Sequence, residues 1–337
     1  MLRTRPTVGG DGLALAMNAE TRVYDDVFDM LPREENPSPM VRITRLAPVE
    51  GFELFAKLEW MNPFGSVKDR AAWSMLRDLE VRGQVSATRG IVEPTSGNTG
   101  ISLAAMASVR GYKARAVVPE KVPDEKKVIL RIAGADVDVM TDSMCPSPGM
   151  GEGSIGMARS YARAQPDKYV MPNQYENAAN ERAHIETTGP EIWRQTDGRV
   201  THVFCSLGTC GTAMGLAQYF REKHPQHKVK IIAVQPTEGH DVPGIRSKSE
   251  LHVAKLLRPE LVDEVLEVET EAAYAAVMEL CQREGLFAGP SSGLIFEGAR
   301  RVLRRDRLQG VGVMIFCDSV FKYVSSMVKH VEGLGEF

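Results

Sequence analysis

From about residue 50 onward, short apolar runs alternate with segments of helical periodicity. Phe52 to Leu58 alternates as a strand would. Ile91-Val92 leads through a Gly/Ser/Thr turn into the apolar stretch Ile101 to Val109, closed by Gly111, which predicts strand, turn and helix. Ala116-Val117-Val118 leads to Pro123, expected as the first residue of a helix that ends at Gly134. Val137 to Met140, Tyr169 to Met171, His202 to Cys205, Lys230 to Val234 and Val311 to Phe316 predict further strands, with helical periodicity between them. Alternation of this kind implies an α/β fold with mostly parallel sheets and helices on both faces. No repeat of fixed period interrupts it. Residues 1–35 predict an N-terminal arm, with Thr21 to Leu31 as a candidate helix, and residues 143–153 are too rich in Pro and Gly for anything but a loop before a helix near Ser154.

One stretch breaks the pattern with chemistry: Asn62-Pro63-Phe64-Gly65-Ser66-Val67-Lys68-Asp69-Arg70. Pro63 and Gly65 interrupt the chain, Ser66 is expected as a helix N-cap, and Asp69 completes a capping box ahead of the apolar stripe Ala72, Met75, Leu76 and Leu79. Lys68 then stands in the first turn of a helix, where the positive end of the dipole disfavours an ammonium and burial lowers its pKa further. A neutral amine there can bond a carbonyl and then carry protons. The plainer reading is a surface lysine on an amphipathic helix.

Composition narrows the field. With 337 residues there is room for two domains, and a net charge of -3 with a pI near 6.2 gives no nucleic-acid footprint. The basic run Arg300, Arg301, Arg304, Arg305 and Arg307 is expected to be the solvated face of one helix. Five cysteines, Cys145, Cys205, Cys210, Cys281 and Cys317, show no CxxC spacing and suggest a reducing, cytoplasmic setting. There is no membrane-length apolar segment, no signal-peptide core, and no metal-ligand spacing among the histidines.

Three turns add anion-binding chemistry. Pro94-Thr95-Ser96-Gly97-Asn98-Thr99-Gly100 lies between a strand and a helix and can cradle a carboxylate with backbone N–H groups, or can be an ordinary turn. Gly208-Thr209-Cys210-Gly211-Thr212 repeats that arrangement before the helix Ala213 to Phe220 and suits a small phosphate ester, having neither a Walker lysine nor dinucleotide spacing. Gly289-Pro290-Ser291-Ser292-Gly293 is the third; its hydroxyl can meet a ring nitrogen or cap a helix beginning at Leu294.

The lysine and the three turns, in this order, resemble the cysteine synthase and cystathionine β-synthase family of fold-type II pyridoxal phosphate enzymes, from about Pro37 to Tyr323. Gln174-Tyr175, Thr187 to Trp193 and Glu284-Gly285 carry the likeness further. The resemblance implies two three-layer α/β domains with pyridoxal 5'-phosphate between them. The smaller, movable one is expected at residues 61–171 and the larger at 36–60 plus 172–337. It implies that Lys68 is the Schiff-base lysine and that Asn98 bonds the cofactor's ring hydroxyl. Gly208, Thr209, Cys210, Gly211 and Thr212 then hold its phosphate, and Ser291 faces the pyridine nitrogen. Thr95, Ser96, Gly97, Thr99 and Gln174 take the substrate carboxylate.

The implied reaction is β-replacement on an activated L-serine, with sulfide as nucleophile, in a homodimer. A hydroxyl at the ring nitrogen, unlike a carboxylate, does not hold that nitrogen protonated, which favours elimination over transamination. Cys210 stands where the family usually has glycine and is taken as an inert small residue. Asp241-Val242-Pro243-Gly244-Ile245-Arg246 resembles the Pro-Gly-Ile-Arg of enzymes that use O-phosphoserine, and an arginine suits a phosphate dianion where an acetyl ester needs no cation. O-Phosphoserine is therefore favoured over O-acetylserine, with Arg246 as its contact. Homocysteine or an amine as nucleophile, a serine/threonine dehydratase, and a cofactor-binding sensor remain as alternatives.

Overall fold

The computed structural model describes residues 22–46, 50–141, 153–306 and 308–336. In chain order the elements are β1 (Met40–Arg42), β2 (Phe52–Leu58), α1 (Lys68–Val81), β3 (Gly90–Pro94), α2 (Asn98–Arg110), β4 (Ala114–Pro119), α3 (Asp124–Ile132) and β5 (Ala135–Met140). They continue as α4 (Gly153–Ala164), β6 (Tyr169–Val170), α5 (Ala178–Ala183), α6 (Gly189–Gln195), β7 (Val200–Ser206), α7 (Gly211–Lys223) and β8 (Lys230–Pro236). Last come β9 (Glu264–Val268), α8 (Thr270–Glu279), α9 (Pro290–Asp306), β10 (Gly310–Phe316) and α10 (Val324–His330).

Two sheets result. The larger runs β1-β2-β10-β7-β8-β9, parallel except where β1 meets β2, and the smaller runs β5-β4-β3-β6, parallel throughout. Because successive side chains point to opposite faces, each central strand of the larger sheet feeds two cores. Val203, Cys205, Val313 and Ile315 pack with α7, whereas Phe204, Ile232 and Met314 pack with Ile295, Phe296 and Ala299 of α9. The smaller sheet buries Ile91, Ala116 and Val118 against Leu76, Leu103 and Met106. Parallel strands of one sheet end on the same edge, so the turns after β7 and β10 lie together, and the turn after β3 in the other sheet lines the same cavity, at strand ends where open α/β sheets place ligands.

Several local expectations need correction. α1 begins at Lys68 with Val67 as N-cap; Ser66 is held in a bridge to Asp318, and Asp69 accepts the Phe64 N–H at 2.7 Å in place of a capping-box partner. Pro123 is the N-cap of α3 and not its first residue. The predicted helix at Thr21 to Leu31 is, within the described residues, one 3-10 turn at Val27–Met30, capped by Asp26. α9 starts four residues earlier than Leu294, at Pro290, so Ser291 is inside its first turn. Arg300, Arg301 and Arg305 are not merely solvated: they pair with Glu279, Glu297, Glu269 and Glu264. The loop at 143–152 and Cys145 lie outside the described residues.

Candidate active site

Behind Lys68 is a closed set of charges. Arg70, on the same turn of α1, gives two hydrogen bonds to Glu59 at 2.7 and 2.8 Å and two to Glu191 at 2.5 and 2.8 Å. Lys57 reaches Glu191 at 2.7 Å, and all four side chains are essentially inaccessible to solvent. Burial alone would raise Glu59, but the Arg70 guanidinium overrides it and holds the carboxyl at about 2. Asn62 adds a 2.8 Å bond to Glu59. The polar residues of the organising stretch therefore fasten the start of α1 to β2 and α6, with Val67 N–H bonded to Cys317 O at 2.8 Å. This fixes where Lys68 emerges.

Lys68 opens on a cavity of about 310 Å³, within the size range of small-molecule sites. Desolvation lowers its pKa, opposed by Cys317, Cys210 and Asp318, which favours the neutral amine expected from the sequence. The same cavity is lined by Thr95, Ser96, Gly97, Asn98, Thr99, Gln174, Gly208, Thr209, Cys210, Thr212, Arg246 and Ser291. Gly211 is the one anticipated residue that does not line it. Gly211 is instead needed behind the turn: a Cβ there would lie 2.1 Å from Asn180 Oδ1.

The turn after β7 opens α7, whose first N–H groups have no intrahelical acceptor. Cys210 caps it at φ 67°, a backbone conformation glycine adopts freely and other residues rarely. Burial pushes the Cys210 thiol up to about 12, so it is an inert thiol at neutral pH. Ser291 is buried against Cys317.

The turn after β3 is organised by Thr95. Its hydroxyl accepts the N–H groups of Gly97 at 3.1 Å and Gly100 at 3.0 Å, so Thr95 is occupied in shaping the turn. Thr99 donates to Gln174 Oε1 at 2.6 Å, and Gln174 donates to Pro94 O at 3.0 Å. Glu93 accepts the N–H groups of Asn173 and Gln174 at 2.8 and 2.9 Å. Burial nonetheless pushes Glu93 up to about 7 from 4.5. The folded chain thus holds this proton more tightly than the unfolded chain. Its contribution to stability is full below about 4.5 and is lost as pH rises through about 7. Urea denaturation at about pH 5 and about pH 8 should show wild type losing more stability across that interval than Glu93→Gln, in which the titrating group is gone.

Sequence reasoning missed several residues here. Asn180 donates to Gln174 O at 2.8 Å and to Thr209 Oγ1 at 2.9 Å, tying Gln174 to the turn after β7. His184, set aside in the sequence, reaches Thr212 Oγ1 at 3.2 Å and Thr188 Oγ1 at 2.8 Å, and burial, with Arg70 and Lys68, depresses it to about 3, so it is neutral. Asn98 is held by its two ends: Nδ2 donates to Asp318 at 2.5 Å and Oδ1 accepts from Lys322 at 3.2 Å. Lys126 also lines the cavity, and burial pushes its ammonium down to about 8. No local spacing signals Asn180 or His184, whose partners Thr209 and Thr212 lie 29 and 28 residues further along the chain.

Residues 31–318 match the family described as pyridoxal-phosphate dependent enzyme. Cysteine synthase B of Salmonella typhimurium is 40% identical over 86% of this chain and 93% of its own length. The chain belongs to this family of pyridoxal phosphate enzymes. Cystathionine beta-synthase of Apis mellifera is 32% identical over 91% of this chain and 62% of its own length. A crystal structure of O-ureido-L-serine synthase superimposes with a TM-score of 0.82 and 28% identity, covering 92% of this chain and 97% of the other. The fold is accordingly fold type II, the cofactor is pyridoxal 5'-phosphate, and the general activity is β-replacement. The residues present suit that group. One cavity holds a desolvated amine, a buried serine in a helix's first turn, and a glycine turn opening α7 in which Gly208 has no room for a side chain, since a Cβ would lie 2.7 Å from Gly244 O.

Proposed function

We propose that this protein makes L-cysteine from O-phospho-L-serine and sulfide. The observation that carries the choice of substrate is Arg246. It is 5% exposed, lies on the cavity wall, and is stacked over Tyr175 at 5.1 Å with a 2.9 Å bond from Nη2 to the Tyr175 hydroxyl. Its backbone N–H is bonded to Leu207 O at 2.8 Å, beside the Gly208 turn. A guanidinium fixed in this way is prepaid in orientation for a phosphate leaving group, and acetate would not use it.

The bound pyridoxal phosphate supplies an electron-withdrawing ring and an aldehyde that bonds amines. In this reading Lys68 would hold the cofactor through that aldehyde, and its desolvated amine would serve as the base for the substrate's α-proton. Asn98 would meet the cofactor's ring hydroxyl, and Ser291 its ring nitrogen. The turn Gly208, Thr209, Cys210, Gly211 and Thr212 holds the cofactor's phosphate. Ser96, Gly97, Thr99 and Gln174 receive the substrate's carboxylate, with Thr95 shaping that turn. Residues 61–171 form the smaller unit and close on the rest. We further assign a homodimer and a cytoplasmic location; no helix among the described residues is long and apolar enough to cross a membrane.

The test is a comparison of kcat/KM for O-phosphoserine and O-acetylserine in wild type and Arg246→Ala. The variant is expected to lose about 10- to 100-fold with O-phosphoserine and little with O-acetylserine. Equal losses, or preference of the wild type for O-acetylserine, would remove phosphate recognition from the account.

A further inference from the structure

The roles assigned so far leave Lys126 unused. It sits in the first turn of α3, is 3% exposed, and lines the cavity. Gly97, at φ 153°, makes room for it: a Cβ there would lie 3.1 Å from Lys126 Cδ and 3.6 Å from Nζ, so the ammonium rests over the turn that begins α2. Its other close neighbour is the Tyr323 ring, 3.9 Å from Nζ to the centroid. Among the described residues no carboxylate lies within ion-pair distance and no acceptor is bonded to it. The carboxylate that acts on it most, Asp318, accepts from Asn98 and from the Tyr323 hydroxyl at Oδ2, and its Oδ1 is buried without a hydrogen-bond partner among the described residues.

A buried ammonium faced only by a ring is costly, and this one stands at the positive end of a helix, where a cation is least favoured. Thr95 takes up the N–H groups of Gly97 and Gly100, which leaves those of Asn98 and Thr99 without an acceptor among the described residues. The part-exposed Ser96 hydroxyl lies on the same side. Several positive or donating groups thus converge on one small space, and the Asp318 carboxylate that also lines the cavity is not paired with Lys126. We propose that Lys126 determines specificity by binding the α-carboxylate of the amino-acid substrate, together with Ser96 and the first N–H groups of α2. This rests on β-replacement on an amino acid and is independent of which leaving group is used.

The test uses the cofactor-loaded protein, titrated with L-serine and with L-serinamide while the visible absorbance of the bound cofactor is followed. Wild type, Lys126→Met and Lys126→Arg are compared. Lys126→Met is expected to weaken L-serine binding by about 10- to 100-fold, to leave L-serinamide within about twofold, and to recover most of the loss as Lys126→Arg. With an activated serine as substrate, KM should rise more than kcat falls. Should the methionine variant not fold, Lys126→Gln carries the same comparison. Equal weakening of both ligands, or of neither, overturns the proposal. So does a loss confined to O-phosphoserine with L-serine binding intact, which would move Lys126 to the leaving group while leaving Arg246 to be judged by its own variant.

Discussion

Lys68→Ala is expected to lower kcat for β-replacement by about 10³-fold or more while the protein still folds. Three features make the loss large. The amine is desolvated and therefore held toward its neutral form, it emerges at the start of a helix fastened by Arg70 to Glu59 and Glu191, and it faces the same cavity as the turns after β3 and β7. No other lysine duplicates this. Lys126 is stacked on Tyr323, and Lys322 is engaged with Phe64 O, Gly65 O and Asn98 Oδ1 at 3.2, 2.9 and 3.2 Å. Single-turnover kinetics of the cofactor-loaded variant would measure the chemical step directly. A variant retaining a tenth or more of wild-type kcat would show that the α-proton leaves by another route.

The second large effect is on stability. Glu191→Gln is expected to cost about 3–5 kcal/mol, because Lys57 and Arg70 would then share the single charge of Glu59 in a site closed to solvent. Removing a second charge should return part of that loss. In Lys57→Met/Glu191→Gln the remaining Arg70 and Glu59 are again balanced, and the double variant should be more stable than Glu191→Gln alone. Urea denaturation of Glu191→Gln, Lys57→Met and the double variant tests this. Additive losses, with the double variant the least stable, would mean that the four groups are not acting as one neutral cluster. The same cluster sets the start of α1, so Glu191→Gln should also weaken catalysis through misplacement of Lys68.

How much of this was legible in sequence depended on whether the signal was local. β2 was bounded correctly, and β3, β4, β8 and β10 were found, because buried parallel strands are unbroken apolar runs flanked by turn residues. β9 was not recognised: it is an edge strand in which Glu264 and Glu267 interrupt the apolar positions. β1 has three residues, too few to show a period. Within the site, Lys68 and the three turns were readable as short motifs with a mechanism of their own. Asn180, His184, Asp318, Lys322 and Lys126 were not. Each acts on a residue far away in the chain, as Asn180 does on Thr209 and Asp318 on Asn98, and no spacing within one segment encodes such a partner.

The misplaced helix starts have two different origins. Ser66 has the composition of an N-cap, but its bridge to Asp318 on another element fixes its backbone otherwise. Ser291 was offered as a cap because Gly289-Pro290 reads as a turn, whereas Pro290 is in fact the first helical residue, the position that suits proline best. Tertiary contacts decided the first case and local chemistry the second.

The central claim is that one particular lysine, of the four that line or border this cavity, carries the cofactor. It can be read by reducing the cofactor-loaded protein with borohydride, digesting it, and locating by mass spectrometry the peptide that has gained the cofactor. The account predicts the added mass on Lys68 alone. Finding it on Lys121, Lys126 or Lys322, or on no lysine, would contradict it.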